Sequence, residues 1–331
     1  MAVMIEAGRE LIYLSEEDLR TCQMTMKTCI DLMEELFLKK AAGLTVNPEK
    51  QGLFPRPGAW IQAMTGEICP DGGLGVKWLS CGPENRSYGL PRFTGLVVLN
   101  DLRTGASLCV MNASYVTGIR TGAVSGLALR HLARKESRTV GVLGCGLEGR
   151  TNLEAALCEL PEIREVYAWA PREASVTEYA AKMSRRFPGI TVTACRSAEE
   201  AVCGADVLLA SSPITSGDEF RIIEPSWCRE GLTAVPVNRD MHFRREALGA
   251  FDRTYVDDAR TFAARQAKGE LAGLGSYEEL ASVIAGKAAG RQDAKERVLV
   301  LTEGLAIEDV ACAKWFYENA AAEGIGRVLP L

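Results

Sequence analysis

Several features that would identify a function at once are missing from the sequence. It has only two histidines, His131 and His242, and none of its 11 cysteines forms a CxxC pair. Zinc sites need clustered Cys or His ligands, so no metal site is expected. The cysteines are odd in number and scattered from Cys22 to Cys312. This pattern indicates reduced thiols of a cytoplasmic protein and excludes a disulfide framework.

A basic surface and long apolar runs are also missing. The chain has 38 Lys and Arg against 43 Asp and Glu, a formal net charge of −5, which argues against nucleic acid as a partner. Charges at Glu6, Arg9 and Glu10 interrupt any signal-peptide core, and no apolar run approaches the ~18 residues that span a bilayer. We therefore expect a cytoplasmic chain, without membrane contact, whose ligands are small molecules.

The middle of the chain carries the clearest structural pattern. From Thr139 to about Asp258, short β-branched or apolar runs such as TVGVL, EVYAWA, ITVTAC and DVLLASS alternate with segments of helical periodicity. This alternation predicts an α/β fold with a doubly wound parallel sheet of the Rossmann type. At roughly 150 residues per domain, the 331 residues suggest about two domains.

The flanking segments have a different pattern. A helical stretch from Glu16 to Lys40 is followed by three strand-like runs, WIQAMTG, GLGVKWLSC and FTGLVVLND, for which an antiparallel α+β arrangement is expected. Beyond the sheet, YEELASVIAG and GLAIEDVACAKWFYENAAAEG have helical periodicity. The last helix needs a surface to cover its apolar side. We therefore predict one discontinuous domain over 1–119 and 302–331, with the Rossmann domain over 120–301 between its parts.

A GxGxxG motif marks a dinucleotide site. Gly144, Gly146 and Gly149 follow the run TVGVL and open a helical segment. In such a motif the first glycine permits a tight turn, the second admits the pyrophosphate and the third allows close packing, while the helix start at Leu147 and Glu148 faces the anion. The alternative is a glycine-rich turn that binds no nucleotide.

The next strand bears on the choice between NAD and NADP. NAD-preferring folds place an Asp or Glu about twenty residues after the motif, where it binds the ribose 2′-hydroxyl. Here the strand ends in Tyr167-Ala168-Trp169-Ala170-Pro171-Arg172, without a carboxylate. Arg172, with Arg150 as a further candidate, suits the 2′-phosphate of NADP. NAD stays open as the cofactor if Arg172 is only a solvated surface charge.

Two cations outside the nucleotide motif suggest a carboxylate-bearing substrate. Lys77 lies within the apolar run GVKWL, and Arg120 precedes Thr121 at the start of the helical segment that leads into the nucleotide domain. A cation in a half-buried strand needs a partner or a ligand. The alternatives are an edge-strand lysine that reaches solvent and an arginine that only satisfies carbonyls between domains.

These motifs together resemble the ornithine cyclodeaminase and mu-crystallin family. The runs GLGVKW, PRFTGLVVLND, RTGAVSGLALRHLARKESRTVGVLGCGLEGR and LTEGLAIEDVACA carry the resemblance, which covers about Ile12 to Gly326. It implies a substrate-binding and dimerisation domain made from both chain ends, and a homodimer. Family members include cyclodeaminases, alanine dehydrogenases, reductases of cyclic imino acids and hormone-binding mu-crystallins, so the substrate is left open.

The resemblance also implies roles for individual residues. Lys77 and Arg120 would hold the substrate carboxylate. A further carboxylate-binding arginine of the family aligns with Lys50, and Arg56 is the residue that could compensate for the missing guanidinium. The residues implied at the cofactor are Arg120, Thr121, Gly144, Gly146, Leu147, Glu148, Gly149, Arg172, Ser211, Ser212, Val237 and Thr302.

Two positions depart from the cyclodeaminase pattern. The aspartate that handles protons in that branch aligns with Asn238, and an amide cannot act as a general acid or base. Asp240 would replace it only if the loop were rearranged. Glu303 stands where the cyclodeaminase has an apolar residue, so it is either a recognition group for a basic or hydroxylated substrate side chain or a solvated loop charge.

These departures favour hydride transfer over cyclodeamination. Imine reduction needs one proton, which water or Lys77 can deliver. We therefore predict an NAD(P)-dependent imino-acid reductase or amino-acid dehydrogenase, with Lys77, Asn238 and Asp240 as the candidate catalytic residues. The alternatives are an ornithine-type cyclodeaminase and a mu-crystallin-like protein that binds NADPH and a small ligand.

Overall fold

A computed structural model describes residues 4–211, 220–237 and 239–331. The chain forms two compact units, Met1–Arg120 with Leu305–Leu331 and Thr121–Gly304. The predicted boundaries were 119/120 and 301/302. The structure divides the chain after residue 304 because the amide groups of Glu303 and Gly304 donate to Asp257 Oδ2, at 2.6 and 2.8 Å. Among the described helices, none is both long and apolar enough to cross a membrane.

The first unit is an antiparallel sheet with helices on one face. Its elements are β1 (Glu10–Leu14), α1 (Glu16–Thr21), α2 (Met26–Ala41), β2 (Thr45–Val46), β3 (Gln51–Arg56), β4 (Ala59–Ile68), β5 (Gly73–Cys81), β6 (Phe93–Asn100), β7 (Ser107–Asn112), the start of α3 (Ala113–Leu132) and, from the C-terminus, α10 (Ala306–Glu323) and β16 (Arg327–Pro330). The sheet order is β16-β1-β7-β6-β5-β4-β2, with β3 also paired to β4. All pairs are antiparallel except β1 with β7.

The three predicted strands of this unit are confirmed, and so is the helical stretch near the N-terminus. The strand runs form β4, β5 and β6, which are neighbours in the sheet. The helical stretch consists of two helices, α1 and α2, separated by Gln23 with φ 54°. Ser15 and Thr25 each cap a helix through their side chains, and two N-caps so close together start two helices rather than one.

The second unit is the predicted doubly wound sheet. Its elements are the rest of α3, then β8 (Thr139–Leu143), α4 (Leu147–Glu159), β9 (Glu165–Trp169), α5 (Glu173–Arg186), β10 (Thr191–Ala194), α6 (Ala198–Cys203), β11 (Val207–Ala210), β12 (Thr233–Pro236), α7 (Arg245–Leu248), β13 (Arg253–Val256), α8 (Ala259–Ala267), β14 (Glu278–Glu279), α9 (Leu280–Ile284) and β15 (Val298–Leu301). The strand order is β10-β9-β8-β11-β12-β15-β13-β14, and every pair is parallel.

Ligands of such a sheet bind where the strand order reverses. The chain runs from β8 outward through β9 and β10, then returns to place β11 on the other side of β8. The carboxyl ends of β8 and β11 therefore form the topological switch point of this unit. The GxGxxG motif follows β8 and Ser211 follows β11, so both belong to this edge.

Two elements of this unit differ from the sequence prediction. The strand β15 was not assigned, although it lies between β12 and β13. The helical periodicity of YEELASVIAG holds for only part of the run: Leu280–Ile284 is helical, whereas Glu278 and Glu279 pair with β13 as β14. Parallel pairing with β13 therefore takes precedence over the helical periodicity of the run.

Candidate active site

The glycine loop after β8 has the geometry that a pyrophosphate requires. Gly144 has φ 103°, a left-handed conformation that other residues rarely adopt. A Cβ on Gly149 would lie 2.0 Å from the carbonyl oxygen of Gly144, whereas a Cβ on Gly146 would meet no atom within 4 Å. Gly146 is also the N-cap of α4, and no side chain caps the helix. Open space before uncapped helix N–H groups fits a phosphate anion.

One of the predicted cofactor residues, Ser211 at the end of β11, contacts this loop, and others are buried elsewhere in the second unit. The Ser211 hydroxyl donates to Gly144 O at 3.2 Å and to Leu143 O at 3.4 Å. Thr121 is 8% exposed, and its Oγ1 has no hydrogen-bond partner among the described residues. An orphaned buried hydroxyl suits a ligand group. Thr302 is buried after β15, and the Val237 amide donates to Ala210 O.

The segment after β9 carries a cation and no carboxylate. Arg172 is exposed and occupies the N-cap position of α5. The first carboxylate of this segment is Glu173, which already belongs to the helix. Leu147 at the start of α4 is 42% exposed, although it is apolar. Of the predicted cofactor residues, Ser212 lies outside the described residues.

A buried cluster of four charged side chains occupies the first unit. Lys77 on β5 is 1% exposed, and its Nζ lies 2.6 Å from Asp309 Oδ2. Arg120 on α3 contacts Asp309 Oδ1 through Nε at 3.2 Å and Glu308 Oε2 through Nη1 at 2.6 Å. Both carboxylates are fully buried in the first turn of α10. The predicted carboxylate-binding pair, Lys77 and Arg120, is thus brought together around Asp309.

Small residues bring α10 onto the sheet above Lys77. Lys77 is on the covered face of β5, on the same side as Gly75. A Cβ on Gly75 would lie 3.3 Å from Val310 Cγ2, and a Cβ on Gly66 would lie 2.9 Å from the backbone nitrogen of Ile307. The glycines of GLGVK and MTG therefore permit the close approach that places the acidic first turn of α10 beside the lysine.

The loop before β3 is anchored to the same helix start. Asn47 Oδ1 accepts a hydrogen bond from the Ala306 amide at 2.8 Å, which caps α10 from outside. Lys50 follows three residues later, and its charge acts on Lys77. Arg56, the predicted compensating residue, is exposed at the end of β3 and makes no ion pair within the described part of the chain. The structure therefore brings Lys50 and not Arg56 to the cluster.

Burial shifts the pKa values of the cluster. Removal from water, with the neighbouring charges of Arg120 and Lys50, lowers the pKa of Lys77 to about 8, while Asp309 acts in the opposite direction. Burial raises the pKa of Glu308, an effect that the charge of Arg120 opposes. The Lys77 ammonium therefore titrates near physiological pH.

Two further predicted residues are held by arginines of the second unit. Asp240 is buried and lies 2.8 Å from Arg221 Nη1. Glu303 accepts from Arg239 at 3.1 Å and also pairs with Arg265. The interpretation of Glu303 as a solvated loop charge is wrong, because its side chain is only 4% exposed. Asn238 lies outside the described residues.

A family model described as the ornithine cyclodeaminase/mu-crystallin family matches residues 14–324. The chain belongs to this family. The match confirms the resemblance inferred from the motifs, and it covers both ends of the chain as well as the Rossmann unit.

Individual members of the ornithine cyclodeaminase/mu-crystallin family align over almost the whole chain. The alanine dehydrogenase of Archaeoglobus fulgidus is 31% identical over 326 residues, which cover 96% of this chain and 97% of the relative. The structure of Thermococcus litoralis Δ1-pyrroline-2-carboxylate reductase in complex with NADH and L-proline has a TM-score of 0.85 and 30% identity, and covers 96% of this chain and 99% of the other. An archaeal alanine dehydrogenase dimer with bound NAD has a TM-score of 0.85 and 30% identity, with coverage of 97% and 99%.

Sequence reasoning missed the two acids that hold the cations in this family member. Glu308 and Asp309 lie in the run LAIEDVACA, in which every residue from 305 to 313 is buried. The signal was available, because two adjacent carboxylates in an otherwise apolar helix need buried cationic partners.

Proposed function

We propose that this chain, an NAD(P)-dependent oxidoreductase of the ornithine cyclodeaminase/mu-crystallin family, transfers hydride between nicotinamide and the α-carbon of an amino or imino acid whose carboxylate is held by Lys77 and Arg120. The main observation behind the proposal is the burial of the Lys77 ammonium. It is 1% exposed, and it pairs with Asp309 Oδ2 at 2.6 Å. An ammonium has three donors, so a substrate carboxylate can supply a further acceptor.

The glycine loop and its neighbours are the residues that would hold the cofactor. Gly146 and the first turn of α4 receive the pyrophosphate, and the Thr121 hydroxyl is a further donor. We propose NADP as the preferred form because Arg172 follows β9 where an acidic residue would select NAD. When bound, the nicotinamide gives or takes the hydride.

The protein's own contribution is orientation. Fixing the carboxylate at Lys77 and Arg120 aligns the α-carbon, which lowers the entropy cost of the reaction. With a pKa of about 8, Lys77 is mostly protonated near neutral pH, as a carboxylate-binding ammonium must be, and the one proton that imine reduction needs comes from water. Asp240 is paired with Arg221, and position 238 is an amide, so neither of these two positions offers an unpaired acid for cyclodeamination. We therefore favour reduction or oxidation over ring closure with ammonia release.

We also propose that the protein is a homodimer that pairs through the uncovered face of the first unit's sheet. Trp78 and Leu96 are directly opposed on β5 and β6, and each is 44% exposed. Leu53 on β3 is 67% exposed and pairs with Ile61, which is on the same face of β4 as the partner of Trp78, Ala63. A sheet face this apolar is typical of a protein interface, and a related archaeal enzyme is a dimer.

The test measures the cofactor first and the substrate second. Fluorescence titration with NADH and NADPH gives the cofactor preference. Absorbance of the reduced nicotinamide is then followed with cyclic imino acids, with 2-oxo acids plus amines, and with ornithine. We expect oxidation of NADPH by at least one imino acid.

Two outcomes would contradict the proposal. Formation of proline and ammonia from ornithine without net cofactor turnover would establish cyclodeamination instead. Tight NADPH binding with no turnover of any carboxylate compound in the panel would instead favour the mu-crystallin-like binding protein.

A further inference from the structure

We propose that Asp309 is a positioning residue that holds Lys77 as a charged ammonium group at a fixed place beside Arg120, so that the two cations can receive a substrate carboxylate together. The inference rests on the proposed function, in which Lys77 and Arg120 bind that carboxylate. Asp309 is fully buried, so its contacts with Lys77 and Arg120 belong to the packed interior and not to an exposed surface.

The geometry gives Asp309 a role that its neighbour does not share. Its Oδ2 lies 2.6 Å from Lys77 Nζ, and its Oδ1 lies 3.2 Å from Arg120 Nε. One carboxylate therefore bridges a strand residue and a helix residue. Glu308 has the same charge and the same burial, but within the described part of the chain its ion pair is with Arg120 and not with Lys77. Glu308 therefore serves as the matched control for Asp309.

The charges around Lys77 come from three elements. Arg120 on α3 and Lys50 in the loop before β3 are positive, and both lower the pKa of Lys77, as burial does. Asp309 and Glu308 on α10 are negative. Of these two, Asp309 is the one in contact, and it raises the pKa of Lys77 by charge. Without it, a buried ammonium beside two other cations would lose its proton at lower pH.

The carboxylate itself is held in place by the backbone around it. Asp309 lies in the first turn of α10, whose start is capped by Asn47. The same turn rests on the sheet at Gly66. A carboxylate at a helix N-terminus is also stabilised by the helix dipole. The Asp309 side chain is therefore already in position when the substrate arrives.

The experiment compares pH profiles of kcat/KM for the wild type, Asp309→Asn and Glu308→Gln, with the best imino acid of the panel as substrate. In the wild type, kcat/KM should fall at alkaline pH as Lys77 loses its proton. Loss of an adjacent opposite charge lowers a buried amine's pKa by about 1–3 units, so Asp309→Asn should move this alkaline limb to lower pH by about that amount. The change should lie in KM rather than in kcat, and Glu308→Gln should shift the limb less.

A third variant separates charge from geometry. Asp309→Glu keeps the charge on a longer side chain, so the wild-type alkaline limb should return while KM stays raised. This variant also keeps the test decisive if thermal melting shows that Asp309→Asn does not fold.

The inference and the proposed function fail in different ways. Wild-type turnover with an alkaline limb that is the same in Asp309→Asn, or shifted equally in Glu308→Gln, overturns the role of Asp309 alone. If Asp309→Asn does not fold, the deciding variant is Asp309→Glu. A wild-type KM in Asp309→Glu would also overturn the role of Asp309. A wild type that neither turns over nor binds any carboxylate of the panel overturns the proposed function, and the inference with it.

Discussion

Lys77 is the residue whose loss should separate substrate binding from folding. Arg120 holds both Glu308 and Asp309, so an apolar group at position 77 leaves Asp309 with one cationic partner. We predict that Lys77→Met raises KM for the carboxylate substrate roughly tenfold to a hundredfold, since a hydrogen bond to a charged group contributes about 1.5–3 kcal/mol. Steady-state kinetics measure this.

The matched control for this variant lies on α10. Lys314 pairs with Glu318 on the helix surface, and its side chain is 32% exposed. Lys314→Met should leave KM unchanged. Equal kinetics for Lys77→Met and the wild type would remove carboxylate binding from the role of Lys77.

His242 should make the protein sensitive to acid. Burial lowers the pKa of His242 to about 4 from 6.5. In the unfolded chain the His242 imidazole therefore becomes protonated below pH 6.5, whereas in the folded chain it becomes protonated only near pH 4. Stability from this group is full above pH 6.5 and is lost as the pH falls towards 4, by about 3 kcal/mol at most. His242→Gln should flatten the pH dependence of the free energy of unfolding between pH 4 and 6.5; a slope equal to that of the wild type would contradict the prediction.

At the scale of elements, local patterns were predictable and long-range partners were not. The alternation in β5 and the glycines after β8 are visible in the sequence because each depends on a few adjacent residues. The strand β15 was missed because its four residues, VLVL, are all fully buried and so lack the period-two alternation of a half-exposed strand. Asp309 was missed as a partner of Lys77 because the two are distant in sequence and meet only through packing of α10 on the sheet.

The turn between β9 and α5 should determine cofactor preference. Arg172 at this turn can contact the 2′-phosphate, which only NADPH carries. We predict that Arg172→Ala weakens NADPH binding by about tenfold to a hundredfold and leaves NADH binding nearly unchanged, because one charge-assisted contact is lost. Fluorescence titration with both cofactors measures the effect.

A control for Arg172 lies at the other end of α5. Arg185 is also exposed, and its Nε donates to Ala181 O within the helix. Arg185→Ala should bind both cofactors as the wild type does. Equal losses of NADH and NADPH in Arg172→Ala would show that the arginine supports the start of α5 instead.

At the scale of the whole molecule, the two chain ends build a unit whose sheet is covered on only one side. The helix α10 packs on the face that contains Lys77, whereas Trp78, the next residue of β5, points to the other face. The proposed substrate-binding and self-association residues therefore alternate along a single strand. A substitution on the Lys77 face should leave self-association measurable, and one on the Trp78 face should leave substrate binding measurable. Both require that β5 keeps its pairing in the sheet.

This alternation allows the homodimer to be tested without disturbing the buried cluster. The double variant Trp78→Glu with Leu96→Glu places charges on the uncovered face, where two copies would bring like charges together at high cost. Light scattering during size exclusion should give twice the 35.8 kDa chain mass for the wild type and the single mass for the variant. Leu38→Glu on α2 is the control, because Leu38 is also 44% exposed and lies off this sheet face. A double variant that stays dimeric, or a wild type that is monomeric, would exclude this face as the interface.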